Sequence, residues 1–187
     1  MKKFFIATLA FLLLGAQAEA VPFTRTQLDK MFLDVGQIQT SATLNLNAET
    51  FKENFNARIT PILKEAMGTD DVSAMEHLFL IKNEKIIGET FTNIFGDYRI
   101  GIVGGLAADG NFKTLSLYYT TPEEKDESIF TIWLMTAFVK SIAPDVNPQT
   151  LMNDLTAENS SGSVEAGGVQ LSVSEDGNLN ALTAAAP

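Results

Sequence analysis

The sequence predicts an α+β domain in which an antiparallel meander sheet curls against a long apolar helix, in the order α-β4-α-α-β2. Residues 77–120 alternate apolar and polar side chains with period two and are rich in β-branched and aromatic types, a pattern typical of half-buried strands. Residues 121–143 instead predict a helix, because apolar side chains recur at helical spacing from Ile129 to Ile142. No cysteine occurs among the 187 residues, so a hydrophobic core rather than disulfides must stabilise the fold.

The first 18 residues predict a cleavable secretory signal peptide. Lys2 and Lys3 form a positively charged start. Phe4 to Leu14 form an apolar segment of eleven residues, which is shorter than the roughly 20 residues that a membrane-spanning helix needs. The small residues that follow fit cleavage by signal peptidase after Ala18, or alternatively after Ala20.

Residues 19–187 are predicted to be one soluble, acidic domain of the periplasm or of the medium outside the cell, because the signal has the features of bacterial export. Removal of Lys2 and Lys3 changes the formal net charge from −10 to −12. This excess of negative charge disfavours nucleic acid and anionic lipid as partners. No apolar run after residue 20 reaches transmembrane length, so no membrane span is expected in the mature chain.

Two helices are predicted before the sheet. Thr26 opens a short helix that Gly36 ends, since threonine and glycine are favoured at those two helix boundaries. Asn47 is predicted to cap a second helix, whose phenylalanines are four residues apart. Pro61 is expected to interrupt that helix, because proline lacks the backbone N–H that a helix interior uses.

Four antiparallel strands are predicted between residues 77 and 120, and His77 is expected to begin the first of them. Ile102 and Tyr119 occupy alternate positions that are predicted to face the core, whereas Arg99 and Tyr118 fall on the opposite, outward face. A guanidinium group and a phenol ring make good contacts with a partner, so Arg99 and Tyr118 are the predicted binding residues. Ordinary cross-strand packing is the alternative reading of both.

The chain after the meander is predicted to form two helices, a loop and two strands. Thr121 caps the long apolar helix, Pro144 stops it, and Asn147 caps a shorter helix. Residues 157–168 are rich in serine, glycine and glutamate and are expected to form a surface loop. Two strands with a tight turn between them follow from Val169 to about Ala185.

The predicted layout combines three features: Phe-Lys-Glu-Asn-Phe-Asn at residues 51–56, an apolar helix that ends in Ser141-Ile-Ala-Pro144, and a terminal strand that ends at Pro187. With these features the chain resembles small exported bacterial proteins that have no assigned function. The resemblance covers most of the mature chain as a pattern of elements. It implies an α+β fold and no particular activity.

Residues that could carry catalysis are few. His77 is the single histidine and there is no thiol, which excludes a cysteine nucleophile and disfavours a zinc site. Asp176-Gly-Asn178 lacks the glycine and the glutamate that complete a calcium loop, and glycine-rich residues 101–105 lack a phosphate-binding lysine. No metal and no cofactor is therefore predicted. Carboxylate pairs remain as a route to hydrolysis, but polar loops and helix first turns explain them equally well; these pairs are Asp70-Asp71, Glu123-Glu124 and Asp126-Glu127.

Together these observations favour an exported, non-catalytic binding or adaptor protein of the bacterial envelope. Its partner would be another protein or a small envelope ligand, bound at a sheet face or a sheet edge. Two alternatives stay open. One is a hydrolase of envelope material that uses carboxylates brought together from distant positions, and the other is a structural homodimer built on the apolar helix face.

Overall fold

Seven antiparallel strands form one sheet in the computed structural model, which describes residues 22–36, 40–95, 99–121, 125–157 and 161–187. In chain order the strands are β1 Lys85–Ile87, β2 Thr90–Phe95, β3 Ile100–Leu106, β4 Phe112–Thr120, β5 Ser163–Ala166, β6 Val169–Asp176 and β7 Leu179–Ala185. Across the sheet they lie in the order β1-β2-β3-β4-β7-β6-β5. Two meanders therefore meet where β4 pairs with β7, and β1 and β5 are the two edges. The predicted α+β class and antiparallel sheet are confirmed.

Five helices occur among the described residues: α1 Arg25–Gly36, α2 Ala48–Met67, α3 Ser73–Phe79, α4 Lys125–Ile142 and α5 Pro148–Thr156. None of them is long and apolar enough to cross a membrane. The predicted signal peptide of residues 1–18 and both cleavage sites, Ala18 and Ala20, lie outside the described residues. The carboxylate pairs at 123–124 and 126–127 likewise lie outside the described side chains.

Helix α2 continues through Pro61, so the predicted interruption is wrong. Asn47 caps the helix as expected, since its Oδ1 accepts a hydrogen bond from the N–H of Thr50 at 2.9 Å. Gly68 ends the helix in the left-handed region, with a φ of 67°. Pro61 lies on the exposed side, where water can solvate the carbonyl that loses its helical partner. The opposite side buries the stripe that stabilises the helix, namely Phe51, Phe55, Ile59 and Leu63.

The main core lies on one face of the sheet, which we call the core face. Its central row runs across five strands and consists of buried residues: Phe91, Gly104, Leu115, Ala184 and Leu171. The ring of Phe51, on α2, lies 5.8 to 6.2 Å from four other phenylalanine rings at this face. A Cβ atom added at Gly104 would lie 2.5 Å from Cε1 of Phe112, so the close packing there requires glycine.

The other face of the sheet is also covered at its centre, by helix α1. We call it the α1 face; its aligned positions include Ile94, Gly101, Tyr118 and Ala181. Met31 and Val35 of α1 pack here together with Phe23. A Cβ at Gly101 would lie 3.3 Å from Cε of Met31 and 2.6 Å from Cδ1 of Ile94, so a small residue lets the helix approach closely. The prediction that this face points outward is wrong at the centre of the sheet.

The observed order, α-α-α-β4-α-α-β3, differs from the predicted α-β4-α-α-β2 in having three helices rather than one before the sheet and a third strand at the end. Two of these additions are short elements. Helix α3 lies where the first strand was expected to begin at His77, and β5 lies inside the predicted surface loop of residues 157–168. A helix of seven residues and a strand of four are too short to show a periodic pattern. Phe79 is the buried residue of α3, and its ring lies 5.8 Å from that of Trp133 in α4. Contacts of this kind with residues distant in the sequence determine whether such a short segment folds as a helix, a strand or a loop.

Candidate binding edge of the sheet

Strand β1 is an edge of the sheet, and all three of its residues are exposed. Ile86 is 56% exposed and Ile87 is 64% exposed. Natural proteins usually protect edge strands, because unpaired N–H and C=O groups there can pair with another chain. The short length of β1 and its lysine give some protection of this kind, but its two exposed β-branched residues provide apolar surface that another strand could cover. We call residues 82–89, which contain β1 and its flanks, the β1 edge.

The turn after β1 shows which backbone groups face outward. Only Gly88 and Glu89 connect Ile87 to Thr90, and Gly88 has a left-handed φ of 61°. In a two-residue hairpin of this kind, the flanking pair exchanges both of its backbone hydrogen bonds. Bonded and non-bonded pairs alternate along an antiparallel ladder, so Ile86 directs its N–H and C=O away from β2. These two groups are in position to bond to an added strand.

The chain enters β1 through a contact with Asn56, on helix α2. The Oδ1 atom of Asn56 accepts a hydrogen bond from the N–H of Ile81 at 2.8 Å, and its Nδ2 atom donates to the carbonyl of Ile81 at 3.0 Å. Ile81 has no exposed surface, so water cannot replace either bond without entering the core. The amide thus pairs with the backbone as a neighbouring strand would, and it holds the start of the β1 edge against α2.

Two ion pairs hold the flanks of the β1 edge. Nζ of Lys52 lies 2.5 Å from Oε1 of Glu84, and Nζ of Lys113 lies 3.4 Å from Oε2 of Glu89. Partial burial opposes the ionisation of Glu84, but the hydrogen bond and the charge of Lys52 outweigh it and hold the pKa of Glu84 below its usual value. The carbonyl of Glu89 accepts a hydrogen bond from the N–H of Leu106 at 2.7 Å. An edge that is ordered in advance loses less conformational entropy when a partner binds.

The β1 edge differs in charge from the chain as a whole. The complete sequence has a formal net charge of −10. Lys82 and Lys85 are nevertheless both exposed, and neither forms an ion pair with a carboxylate in the part of the chain that the structure describes. Glu84 and Glu89, the acidic residues of the same segment, are already paired with lysines. The β1 edge and its paired lysines therefore carry two positive charges in excess.

The opposite edge of the sheet, β5, is less accessible. Of its four residues, only Glu165 is exposed, while Val164 and Ala166 pack against the main core. A Cβ at Gly167, in the turn after β5, would lie 2.7 Å from Cβ of Ala143. This turn therefore packs closely against the end of α4. Of the two edges, β1 is the one that a partner can reach.

The two binding residues predicted from the sequence lie elsewhere. Arg99 and Tyr118 do share the α1 face, since the carbonyl of Arg99 accepts a hydrogen bond from the N–H of Thr120 in the neighbouring strand. Arg99 is half-buried, but Tyr118 is only 4% exposed because α1 covers it. The predicted exposure of Tyr118 is therefore wrong. Burial, together with the nearby carboxylate of Asp34, raises the pKa of Tyr118 to about 12. A role of this pair in binding stays a prediction.

The catalytic candidates that the structure describes, His77 and the Asp70-Asp71 pair, have ordinary structural surroundings. His77 is exposed on α3, not at the start of a strand. Asp71 accepts hydrogen bonds from the hydroxyl and the N–H of Ser73, which lower its pKa, and Asp70 forms an exposed ion pair with Lys64 at 3.6 Å. In the described residues there is no group of three or more histidine, aspartate or glutamate side chains that could hold a metal ion.

Sequence reasoning missed the β1 edge, although a signal for it was present. The predicted meander included residues 82–89, but the turn at Gly88-Glu89 was not among the features used. Glycine at the first position of a two-residue turn is typical of hairpins with a left-handed first residue. That turn marks Lys85–Ile87 as a separate short strand. The exposure of its isoleucines could not be read from the sequence, since it depends on which strands lie next to β1.

Comparison of this chain with protein-family models, with curated protein sequences and with solved structures found no match.

Proposed function

We propose that this chain is an exported, non-catalytic binding or adaptor protein of the bacterial envelope, and that its β1 edge takes up an extended segment of a partner protein. The observation that carries the proposal is the exposure of Ile86 and Ile87 on an edge strand whose flanks are held in place. Addition of a strand would satisfy the outward backbone groups of Ile86 and would cover apolar side chains on both faces of the sheet.

A protein segment suits this site better than a small envelope ligand. Small ligands are usually bound in concave sites that bury most of their surface. An edge strand with exposed side chains on both faces offers no such enclosure, but it matches the shape and the hydrogen bonding of another strand. The predicted signal peptide supports a location in the periplasm or outside the cell, where partner segments would belong to envelope proteins.

The described residues support binding over the two alternatives. The carboxyls of Asp71, Glu84 and Asp109 have lowered pKa values, which do not suit these three groups to the role of the general acid in a hydrolase. A homodimer built on the long helix needs an exposed apolar surface on α4. Trp133 and Leu134 of that helix are 9% and 1% exposed, because their own chain already covers them.

Site-specific photo-crosslinking in living cells tests the proposal. A photoreactive amino acid replaces Ile87 in one variant and Leu33 in a matched control, since Leu33 is 60% exposed on α1 and also apolar. We expect a discrete crosslinked species from position 87 and none from position 33. The same species should disappear when Ile86→Pro is added, because proline there removes an outward N–H but no hydrogen bond of the sheet.

Circular dichroism and thermal unfolding must show that the Ile86→Pro chain remains folded. Equal crosslinking from positions 87 and 33, or crosslinking at position 87 that survives Ile86→Pro in a folded chain, would show that the β1 edge is not the binding site.

A further inference from the structure

We infer that the segment bound at the β1 edge is acidic: an extended strand in which carboxylate side chains stand next to adjacent apolar residues. This inference rests on the proposed function, and it adds the chemistry of the partner. Its basis is the uncompensated positive charge of Lys82 and Lys85 on a chain that is otherwise strongly acidic.

The charge on this edge selects the partner because the negative charges beside it are already balanced. Glu84 and Glu89 each lie next to a lysine, Lys52 and Lys113, so they offer a basic partner little net negative charge. An acidic partner instead meets the ammonium groups of Lys82 and Lys85 directly. Opposite charges across a strand pair are favourable, and like charges are unfavourable.

The register of β1 indicates the apolar part of the partner. Ile86 pairs with buried Phe91 and so belongs to the core face, whereas Ile87 pairs with Thr90 and belongs to the α1 face. Successive residues of an added strand also point to alternate faces. Two adjacent apolar residues of the partner would therefore cover Ile86 and Ile87, one on each face. A carboxylate next to that pair, opposite Lys85, would complete the match.

A second copy of this chain is a poorer occupant than an acidic segment of another protein. Pairing of two β1 edges would bring Lys82 and Lys85 of one copy close to Lys82 and Lys85 of the other, and neither lysine forms an ion pair within its own described chain. Exposed lysines on an edge strand are a known means of preventing such self-association. The charge that disfavours a copy of the chain is the charge that favours an acidic strand.

Fluorescence anisotropy with three labelled twelve-residue peptides tests this inference on the mature chain. All three peptides share a central run of four isoleucine and valine residues. Four residues flank this run on each side, and they are glutamates in the first peptide, glutamines in the second and lysines in the third. We expect the glutamate peptide to bind at least tenfold more tightly than the lysine peptide at low salt, and this preference to weaken as salt screens the charges.

Variants of the chain show whether the preference arises at the β1 edge. The double variant Lys82→Gln, Lys85→Gln should bind the glutamate peptide about tenfold more weakly, as expected for the loss of two exposed charge pairs. Its affinity for the glutamine peptide should not change. Arg58→Gln removes one positive charge from an exposed site on α2, outside the β1 edge. It is the control for loss of charge elsewhere on the chain and should leave both affinities unchanged.

The outcomes separate this inference from the proposed function. Equal binding of all three peptides, lost in Ile86→Pro, would overturn the acidic partner and leave strand addition at the edge intact. Binding of no peptide would also overturn the acidic partner, and the crosslinking at position 87 decides independently whether the edge binds at all. Dimerisation in sedimentation velocity that Ile86→Pro abolishes would identify a second copy as the occupant instead.

Discussion

The hydrogen bonds between Asn56 and Ile81 should stabilise the fold more than the other side-chain amide of α2, that of Asn54, does. The substitution Asn56→Ala tests this. The substitution removes both the acceptor of the Ile81 N–H at 2.8 Å and the donor to the Ile81 carbonyl at 3.0 Å. Ile81 is fully buried, so both backbone groups lose their partners inside the protein. A buried polar group without a partner costs about 1–3 kcal/mol. We therefore expect a loss of about 3 kcal/mol in the free energy of unfolding.

Asn54→Ala is a matched control on the same helix. Asn54 is exposed, and its amide reaches only the carbonyl of Ser141 at 3.5 Å, which is the limit of a hydrogen bond. Both substitutions gain roughly 0.6 kcal/mol of helix propensity, because alanine favours a helix more than asparagine does. This gain cancels when the two variants are compared. The difference between them therefore reports the two hydrogen bonds to Ile81.

Urea unfolding followed by fluorescence measures this difference, because the single tryptophan, Trp133, is buried in the core and reports its exposure on unfolding. Asn56→Ala should also lower the melting temperature by about 6–12 °C, at about 2–4 °C per kcal/mol for a domain of this size. Faster amide exchange in residues 82–90 should accompany it, since the start of the β1 edge is released. A difference of less than about 1 kcal/mol between the variants would refute the assigned role of Asn56.

Three further predictions follow from individual side chains. Because the pKa of Glu84 is lowered in the folded chain, its charge stabilises the fold at pH values above the range in which glutamate usually titrates. Glu84→Gln should therefore be less stable than the parent chain at neutral pH, and the difference between their urea midpoints should disappear as the pH falls below about 4. Gly104→Ala should cost about 1–3 kcal/mol in chemical unfolding, because the added methyl meets a buried phenyl ring, while Gly36→Ala, with nothing within 4 Å, should be nearly neutral. Burial raises the pKa of Tyr118 and Tyr119 to about 12, so both phenols stay protonated in the folded chain at a pH where they ionise in the unfolded chain, and the fold loses stability as the pH rises from about 10 to 12. Ultraviolet titration should show fewer ionised phenols at about pH 11 in the folded chain than in urea, and equal ionisation would contradict their burial.

The strand alternation that the sequence predicted is confirmed where one face is much more apolar than the other. Leu115 and Leu117 of β4 are buried on the core face, as their alternation with polar residues indicated. The same alternation predicted the wrong environment for Tyr118, because polar and small residues on the second face are typical of an exposed surface. Thr114 and Ser116 of that face are also buried, and their hydroxyls bond to the carbonyl of Ala184 and to the hydroxyl of Thr183.

The sequence by itself determined the features that depend on neighbouring residues. Asn47 and Asn147 cap helices through bonds to backbone N–H groups two or three residues ahead, and Gly177 forms the turn between the last two strands with a φ of 63°. These interactions form within a few residues, so local composition is sufficient to specify them. The class of the fold follows from the same kind of evidence, repeated along the chain.

Only the tertiary structure decided the features that depend on residues distant in the sequence. Tyr118 is buried because α1, from the other end of the chain, lies over it, and α2 passes through Pro61 because its apolar side is packed into the core. Lys85–Ile87 is an exposed edge because the second meander joins the sheet through β7 and leaves β1 at the outside. Such arrangements arise from the free energy of burying surfaces that meet only after folding, and no local pattern in the chain encodes that energy.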